Sequence, residues 1–226
     1  MFNESHSMTI KAILFDLDGT LVDSNELHVD AWQQALGEAG HEVDRSTIHA
    51  QIGKGSDMFV PAIVPDADAA AITSLGDAHG RIFKGSLMAR VQPFPRAHDI
   101  LRDVHGRGQK VVLASSASGE ELDHYLDLLD ARSLVAATTG ADDVERTKPA
   151  PDIFATALKK IAPIGAEEAI VVGDSPYDVE AAKRCGIAAV ALRSGGFDDD
   201  VLREAGAIAI YDDVAALLAD DTSPLR

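Results

Sequence analysis

The sequence of 226 residues predicts an α/β fold, a parallel sheet with helices on both faces and a small all-helical insert after the first strand. Short apolar strands alternate with helical segments through residues 92–226, which favours right-handed crossovers in one parallel sheet. The apolar run at residues 10–15 is short and β-favouring, typical of a buried strand. Residues 24–91 contain helical fragments and no strong strand. We therefore expect an α/β core of residues 1–23 and 92–226 and a helical cap of residues 24–91.

The elements are predicted in chain order from apolar periodicity and from stop signals. Ser24 can cap a first helix, which Gly40 ends. In the insert, helical fragments are predicted at residues 45–51, 58–63 and 66–88, and Pro61 is expected to break the second. The remaining strands are predicted at residues 110–114, 135–138, 169–172, 187–192 and 207–210. The remaining helices are predicted at residues 96–105, 120–129, 152–161, 177–184, 198–205 and 214–219.

Composition restricts the class of partner. The formal net charge is −17, which argues against a general nucleic-acid binder or a protein of anionic membrane surfaces, since both need a basic face. Cys185 is the only cysteine, so no internal disulfide is possible and a reducing compartment fits. No apolar run approaches the length of a membrane span, and we expect a cytoplasmic protein. Residues 1–7 read as a frayed tail, with Met8 as a possible native start.

The first strand ends in two carboxylates, Asp16 and Asp18, followed by Gly19 and Thr20. Two like charges this close destabilise each other when buried, unless a cation or a shared proton compensates. In the alternative, purely structural explanation, Asp18 belongs to a turn and Asp16 caps a helix. Because ligands bind at the carboxyl ends of strands in open α/β sheets, the pair indicates a functional site.

Three later segments place polar residues at comparable positions. Ser115 follows a strand, Lys148 precedes a proline-stiffened loop, and Asp174 follows a strand and a glycine, with Asp178 one helical turn later. Each has an ordinary structural explanation as a helix cap or a surface lysine. Their order on one parallel sheet predicts that they meet in one crevice.

Together these residues suit phosphoryl chemistry. Asp16, Asp174 and a backbone carbonyl near Asp18 form an all-oxygen set, which suits Mg²⁺ better than zinc. Lys148 adds a cation and Ser115 a hydroxyl donor for a phosphoryl group. One ionised aspartate can act as nucleophile, and the second can protonate the leaving oxygen.

In these segments the sequence resembles the haloacid dehalogenase (HAD) superfamily of phosphohydrolases. Residues 16–20 match its first motif, Ser115 the second, Lys148 the third and residues 173–178 the fourth. Residues 148–154 read Lys-Pro-Ala-Pro-Asp-Ile-Phe, and the match covers nearly the whole chain. The resemblance implies a Rossmann-like core, and the insert resembles the helical cap of the phosphoglycolate phosphatase and β-phosphoglucomutase branch.

The resemblance also implies roles for individual residues. Asp16 would be the nucleophile that forms an aspartyl-phosphate, and Asp18 the general acid and then the general base. The phosphate-binding residues would be Ser115, Ser116 and Lys148. The Mg²⁺ ligands would be Asp16, the main-chain carbonyl of Asp18, and Asp174. Asp178 and Thr20 would support this site from a second layer.

The implied function is a Mg²⁺-dependent phosphatase that hydrolyses small phosphorylated metabolites, phosphoglycolate-like or sugar-phosphate-like. A β-phosphoglucomutase-like enzyme is one alternative, although those mutases usually carry Val at the position of Thr20 and a Ser-Arg pair in the cap. A non-catalytic binding protein on the same scaffold is another.

The cap offers the candidate substrate-specificity residues His28, Lys54 and Ser56. His28 lies where the mutases have a hinge histidine, and we expect a solvated hinge residue. Lys54, between two glycines, could approach an anionic substrate. Trp32 and Met58 are expected in the core of the insert.

Overall fold

The computed structural model describes residues 9–226, so the predictions for residues 1–7 and Met8 lie outside the described residues. The strands are β1 (Ala12–Phe15), β2 (Val22–Asp23), β3 (Gln92–Pro93), β4 (Lys110–Ala114), β5 (Val135–Thr139), β6 (Ala169–Gly173), β7 (Ala188–Leu192) and β8 (Ala209–Tyr211). The helices are α1 (Asn25–Glu38), α2 (Arg45–His49), α3 (Ser56–Ile63), α4 (Ala69–Ile82), α5 (Ala97–Gly106), α6 (Gly119–Leu128), α7 (Asp152–Lys160), α8 (Pro176–Arg184), α9 (Asp199–Ala205) and α10 (Val214–Ala219). None of the helices in this described part of the chain combines the length and the apolarity that a bilayer crossing requires.

Six strands form one sheet in the order β5-β4-β1-β6-β7-β8, and every pairing in it is parallel. β1 lies between β4 and β6, with Phe15 paired to Leu113 on one side and to Val172 on the other. The register therefore brings the carboxyl ends of these three strands to the same edge of the sheet. This confirms the predicted α/β fold with its parallel sheet.

Both faces of the sheet are covered, which explains the continuous apolar strands. Ile13 and Phe15 of β1 belong to one buried cluster, and Ala12 and Leu14 belong to a second cluster on the opposite face. Successive side chains of a strand point to opposite faces, so a strand buried on both sides must be apolar at every position.

Helices α1 to α4 form the insert, which has an apolar cluster of its own around Trp32, Ile48 and Phe59. The insert joins the rest of the chain through a two-stranded antiparallel ribbon, β2–β3, in which Val22 pairs with Pro93. The sequence did not predict this ribbon because each of its strands has only two residues. The division into two domains stays a prediction, since α1 also contributes apolar residues to the cluster shared with the sheet.

Two predictions for the insert were wrong in detail. Helix α3 continues through Pro61, which lies inside it. Proline removes one backbone hydrogen bond, but the same helix buries Phe59 and Val60 completely, and this burial offsets the loss. The helix expected over residues 66–88 is α4 followed by a π-helical turn (Phe83–Leu87) and a 3₁₀ turn (Met88–Arg90).

Candidate active site

The strand ends bring the predicted polar residues together. Asp16 follows β1 and its N–H donates to the carbonyl oxygen of Val172 on β6 at 2.9 Å. Ser115 follows β4 and its N–H donates to Thr139 of β5 at 3.0 Å. These bonds continue the parallel hydrogen-bond ladder by one residue, and they fix the backbone positions from which the side chains of Asp16 and Ser115 project. Asp16, Ser115 and Asp174 are almost completely buried.

Lys148 lies between two carboxylates at the centre of this site. Its side chain is completely buried, and Nζ lies 2.7 Å from Asp16 Oδ1 and 2.7 Å from Asp178 Oδ1. Burial opposes the charged ammonium, but the two carboxylates outweigh it and raise the pKa of Lys148. Both contacts join a buried ammonium to a buried carboxylate at the distance of a charge-assisted pair. The site is thus held by charge balance.

Asp174 is oriented by two neutral donors. Thr20 Oγ1 donates to Asp174 Oδ1 at 3.1 Å, and Asn25 Nδ2 donates to Asp174 Oδ2 at 2.9 Å. Gly19 has a φ of +72°, and a Cβ there would lie 2.0 Å from Asp174 Oδ2, so glycine is required. Burial and the charge of Asp178 raise the pKa of Asp174 to about 7 despite these donors.

The carboxylates fit a divalent cation. Asp16, Asp174 and Asp178 each offer an oxygen, and these oxygens lie within 4.8 Å of one another. Burial, followed by the charges of Asp178 and Asp174, raises the pKa of Asp16 well above its ordinary value, although Lys148 opposes that shift. An all-oxygen set under mutual repulsion suits a hard cation such as Mg²⁺. Asp178, predicted to support the site from outside, is therefore close enough to offer a ligand itself.

Asp18 is held apart from this cluster by three donors on one oxygen. Its Oδ1 accepts from Ser24 Oγ at 2.6 Å and from Tyr125 Oη at 3.0 Å, and His28 Nε2 lies 3.1 Å away. Burial alone would raise its pKa, but the charge of His28 and the donors lower the pKa of Asp18 to about 2. Ser24 occupies the N-cap position of helix α1 as predicted, but its side chain donates to Asp18 and makes no capping bond to the helix.

His28 is buried rather than solvated, so that expectation was wrong. Its side chain is 12% exposed, stacks on Phe83 with ring centroids 3.9 Å apart, and has Nδ1 3.2 Å from His79 Nε2. Burial lowers its pKa, but the neighbouring Asp18 carboxylate outweighs that effect and raises it. Burial and then the charge of His28 lower the pKa of His79 well below its usual range. Trp32 is 3% exposed and stacks on His79 with ring centroids 4.2 Å apart, as expected for a core residue.

A cavity of about 670 Å³ lies between the insert and the sheet edge. Asp16, Asp18, Ser115 and Ser116 line it on the sheet side. On the insert side it is lined by residues that include His28, Lys54, Ser56 and His79. Predicted site residues from both sides therefore line one cavity, whereas Thr20, Lys148, Asp174 and Asp178 are not part of its lining.

Two of these residues are already engaged with the protein. Lys54 Nζ donates to Gln51 at 2.5 Å and lies 4.3 Å above the Tyr177 ring. Ser116 Oγ donates to the backbone carbonyl of Gly53 at 3.2 Å. In this structure Lys54 is therefore turned toward Tyr177 while it lines the cavity.

Direct contacts fix the insert over the core. Thr147, next to Lys148, donates from its N–H and its hydroxyl to the two carboxylate oxygens of Asp57 in the insert. The N–H of Gly55 donates in turn to the Thr147 hydroxyl at 2.9 Å, and a Cβ at Gly55 would lie 2.5 Å from Thr147. The sequence did not reveal this contact, since its partners are 90 residues apart.

Comparison with known proteins identifies the family. The family model for haloacid dehalogenase-like hydrolases matches residues 13–192. The chain belongs to this family. The match spans all four strand-end segments, from Asp16 to Asp178.

Related proteins agree with this assignment. The chain is 27% identical over 216 residues to a phosphoglycolate phosphatase of Rhodospirillum rubrum, covering 92% of this chain and 89% of that one. It is 29% identical over 187 residues to an Escherichia coli fructose-1-phosphate phosphatase, covering 80% and 95%. It is 28% identical over 218 residues to the chloroplastic protein SUPPRESSOR OF QUENCHING 1 of Arabidopsis thaliana. The matched region covers 94% of this chain but only 20% of that protein.

A solved structure shows the same architecture. The crystal structure of a hydrolase from Pseudomonas syringae superposes with a TM-score of 0.85 at 30% identity, covering 92% of this chain and 96% of that one. The chain is accordingly a HAD-family hydrolase, and the residues that the family model matches include the strand-end cluster. Four residues outside the predicted set contact predicted site residues: Ser24 and Tyr125 contact Asp18, Asn25 contacts Asp174, and His79 contacts His28.

Proposed function

We propose that this HAD-family hydrolase is a Mg²⁺-dependent phosphatase that hydrolyses small phosphomonoesters through an aspartyl-phosphate on Asp16. The observation that supports it most is the ion cluster in which Lys148 lies 2.7 Å from both Asp16 and Asp178, because Asp16 itself lines the cavity. Burial raises the pKa of Asp16, but the Lys148 ammonium opposes that rise and so favours the carboxylate form of the proposed nucleophile. The phosphatase names of the relatives support the same class of reaction.

In the first step a carboxylate oxygen of Asp16 attacks the phosphorus atom. The bond from Asp16 to phosphorus forms, the ester bond breaks, and the leaving oxygen takes a proton from Asp18. Ser115, Ser116 and Lys148 would hold the phosphoryl oxygens. Burial opposes the shift, but the charge of His28 and the donors lower the pKa of Asp18 to about 2, which favours the carboxylate, so Asp18 takes up a proton from solvent before this step. An approaching phosphate dianion adds negative charge nearby, which raises the pKa of the carboxyl and favours its protonation.

In the second step water releases the phosphoryl group. Asp18, again a carboxylate, accepts a proton from the water, whose oxygen attacks phosphorus while the bond to Asp16 breaks. The products are inorganic phosphate and a free Asp16 carboxylate. The hydrogen bonds from Ser24 and Tyr125 to Asp18 keep its side chain directed for this task.

The proposed metal site consists of Asp16, Asp174 and the main-chain carbonyl of Asp18, with Asp178 within reach. When bound, Mg²⁺ supplies charge neutralisation for the phosphoryl oxygens. Thr20 and Asn25 hold Asp174 in the orientation that a ligand needs, because each donates to a different oxygen of its carboxylate.

Phosphate release from a panel of sugar phosphates, phosphoglycolate and nucleotides, with and without Mg²⁺, tests the proposal. We expect release with Mg²⁺ only, and none from Asp16→Asn. An isomerised sugar phosphate in place of free phosphate would show a mutase. Equal inactivity of wild type and Asp16→Asn across the panel would favour a binding protein. The proposed partner is a small phosphorylated metabolite, and the cytoplasmic location stays a prediction.

A further inference from the structure

The charges around the cavity bear on which phosphate ester it accepts. Besides Asp16 and Asp18, the described carboxylates that line it are Asp57, Asp77, Glu121, Asp142 and Glu145. His28 also lines it and pairs with Asp18, and the other described cations of the lining are Lys54, Arg81 and Lys84. Where the leaving group of an ester must lie, the lining therefore carries more negative than positive charge.

The cations are also engaged elsewhere. Arg81 Nη2 lies 2.7 Å from Glu38, and Lys84 Nζ lies 2.8 Å from Glu120. Lys54 donates to Gln51 and lies over an aromatic ring. Exposed ion pairs are weak, so Arg81 and Lys84 can leave their partners at little cost. Even with Arg81 and Lys84 free, the five lining carboxylates named above outnumber the three cations, so the local charge remains negative.

The lining also contains uncharged polar groups. Residues with hydroxyl groups line the cavity, among them Ser56, Thr73, Ser116 and Ser118, although Ser116 donates to Gly53 and Ser118 to Glu121. Asp77, Asp142 and Glu145 are exposed and can accept hydrogen bonds from an alcohol. A leaving group with hydroxyls can use these donors and acceptors, whereas a carboxylate would be repelled by the acids.

We propose that the cavity discriminates against phosphate esters whose leaving group carries a carboxylate, such as phosphoglycolate, and accepts esters of hydroxylated alcohols or sugars. This inference rests on the proposed phosphatase function. At a separation of about 8 Å in water, each unbalanced charge changes kcat/KM for an anionic substrate by about two- to threefold. The excess of carboxylates therefore predicts a kcat/KM about fivefold or more higher for an ester with a neutral leaving group than for one with an anionic leaving group.

Three esters of equal length test the charge of the leaving group alone: 2-hydroxyethyl phosphate, phosphoglycolate and phosphoethanolamine. With wild-type enzyme and Mg²⁺ at low ionic strength, we expect the lowest kcat/KM of the three for phosphoglycolate and a smaller disadvantage at high salt. A kcat/KM for phosphoglycolate equal to or above that of 2-hydroxyethyl phosphate would overturn the proposal. A kcat/KM for phosphoethanolamine below that of phosphoglycolate would also overturn it, since a negative lining attracts an ammonium group.

A charge reversal at Glu145, an exposed residue of the cavity lining, provides a second test of the proposal. Glu145→Lys should raise kcat/KM for phosphoglycolate relative to 2-hydroxyethyl phosphate by about fivefold, since two units of charge change. Glu167→Lys makes the same change at an exposed position just before β6, at the opposite edge of the sheet, and should leave the ratio unchanged. Equal ratios in the two variants would contradict the inference. No phosphate release from any ester, or from p-nitrophenyl phosphate, would instead overturn the phosphatase function and this inference with it.

Discussion

Replacing Lys148 with Met tests the charge balance of the site most severely. The side chain is completely buried between Asp16 and Asp178, at 2.7 Å from each, so Lys148→Met leaves two buried carboxylates without a cation. Removing one partner of a buried ion pair costs about 3–5 kcal/mol. For a chain of this size each kcal/mol lowers Tm by about 2–4 °C, which predicts a fall of about 6–20 °C.

The loss should depend on pH with a defined sign. Burial and neighbouring carboxylates already raise the pKa of Asp16, and loss of the lysine raises it further. The native variant then binds more protons than the unfolded chain, so its stability falls as pH rises. Lys148→Met should therefore lose most stability at pH values above the raised pKa and regain part of it as pH falls through that pKa.

Thermal and denaturant unfolding in EDTA measure this effect without a competing cation. Lys11→Met is the matched control, because Lys11 pairs with Glu168 but is 56% exposed, and it should change the free energy of unfolding by about 1 kcal/mol or less. The double variant Lys148→Met/Asp178→Asn should be more stable than Lys148→Met, since one uncompensated carboxylate is removed. Similar Tm values for Lys148→Met and Lys11→Met, with no recovery in acid, would refute the reasoning.

Three further predictions concern the surroundings of the site. Asn25→Ala removes a donor to Asp174 and should weaken Mg²⁺ binding about 10–100-fold by calorimetry; unchanged affinity would show that Asp174 needs no such support. Asp18→Ala should abolish most turnover yet retain more Mg²⁺ affinity than Asp174→Ala, because only the backbone carbonyl of Asp18 is a proposed ligand. Equal losses in the two variants would contradict that division. Asp57→Ala removes the acceptor that fixes the insert over the core and should raise KM about tenfold with a smaller change in kcat. Asp44→Ala, an exposed residue of the insert without a side-chain capping bond, should leave both constants unchanged.

The sequence was sufficient for the sheet and for the strand-end cluster because both depend on local patterns. An apolar strand followed by a polar residue locates one corner of the site, and parallel topology then brings the corners together. Asp16, Ser115 and Asp174 were predicted in this way, and the structure places them at one edge of the sheet.

Other contacts of the site carry no local signal. Tyr125 reaches Asp18 across 107 residues, and Asn25 reaches Asp174 across 149. Nothing in the local sequence distinguishes Tyr125 or Asn25 from other residues of a helix. His28 was expected in solvent because the stack formed by Phe83 and His79 comes from another helical segment of the insert. Such contacts depend on how the helices of the insert pack, which periodicity alone does not determine.

The central claim is that Asp16 carries the phosphoryl group during turnover. Acid quenching of the wild-type enzyme with a ³²P-labelled phosphomonoester and Mg²⁺, followed by peptide mass spectrometry, tests it directly. We predict label on the peptide that contains Asp16, released by hydroxylamine, and no label on Asp16→Asn. Label on another residue, or Asp16→Asn turnover at the wild-type rate, would contradict the account.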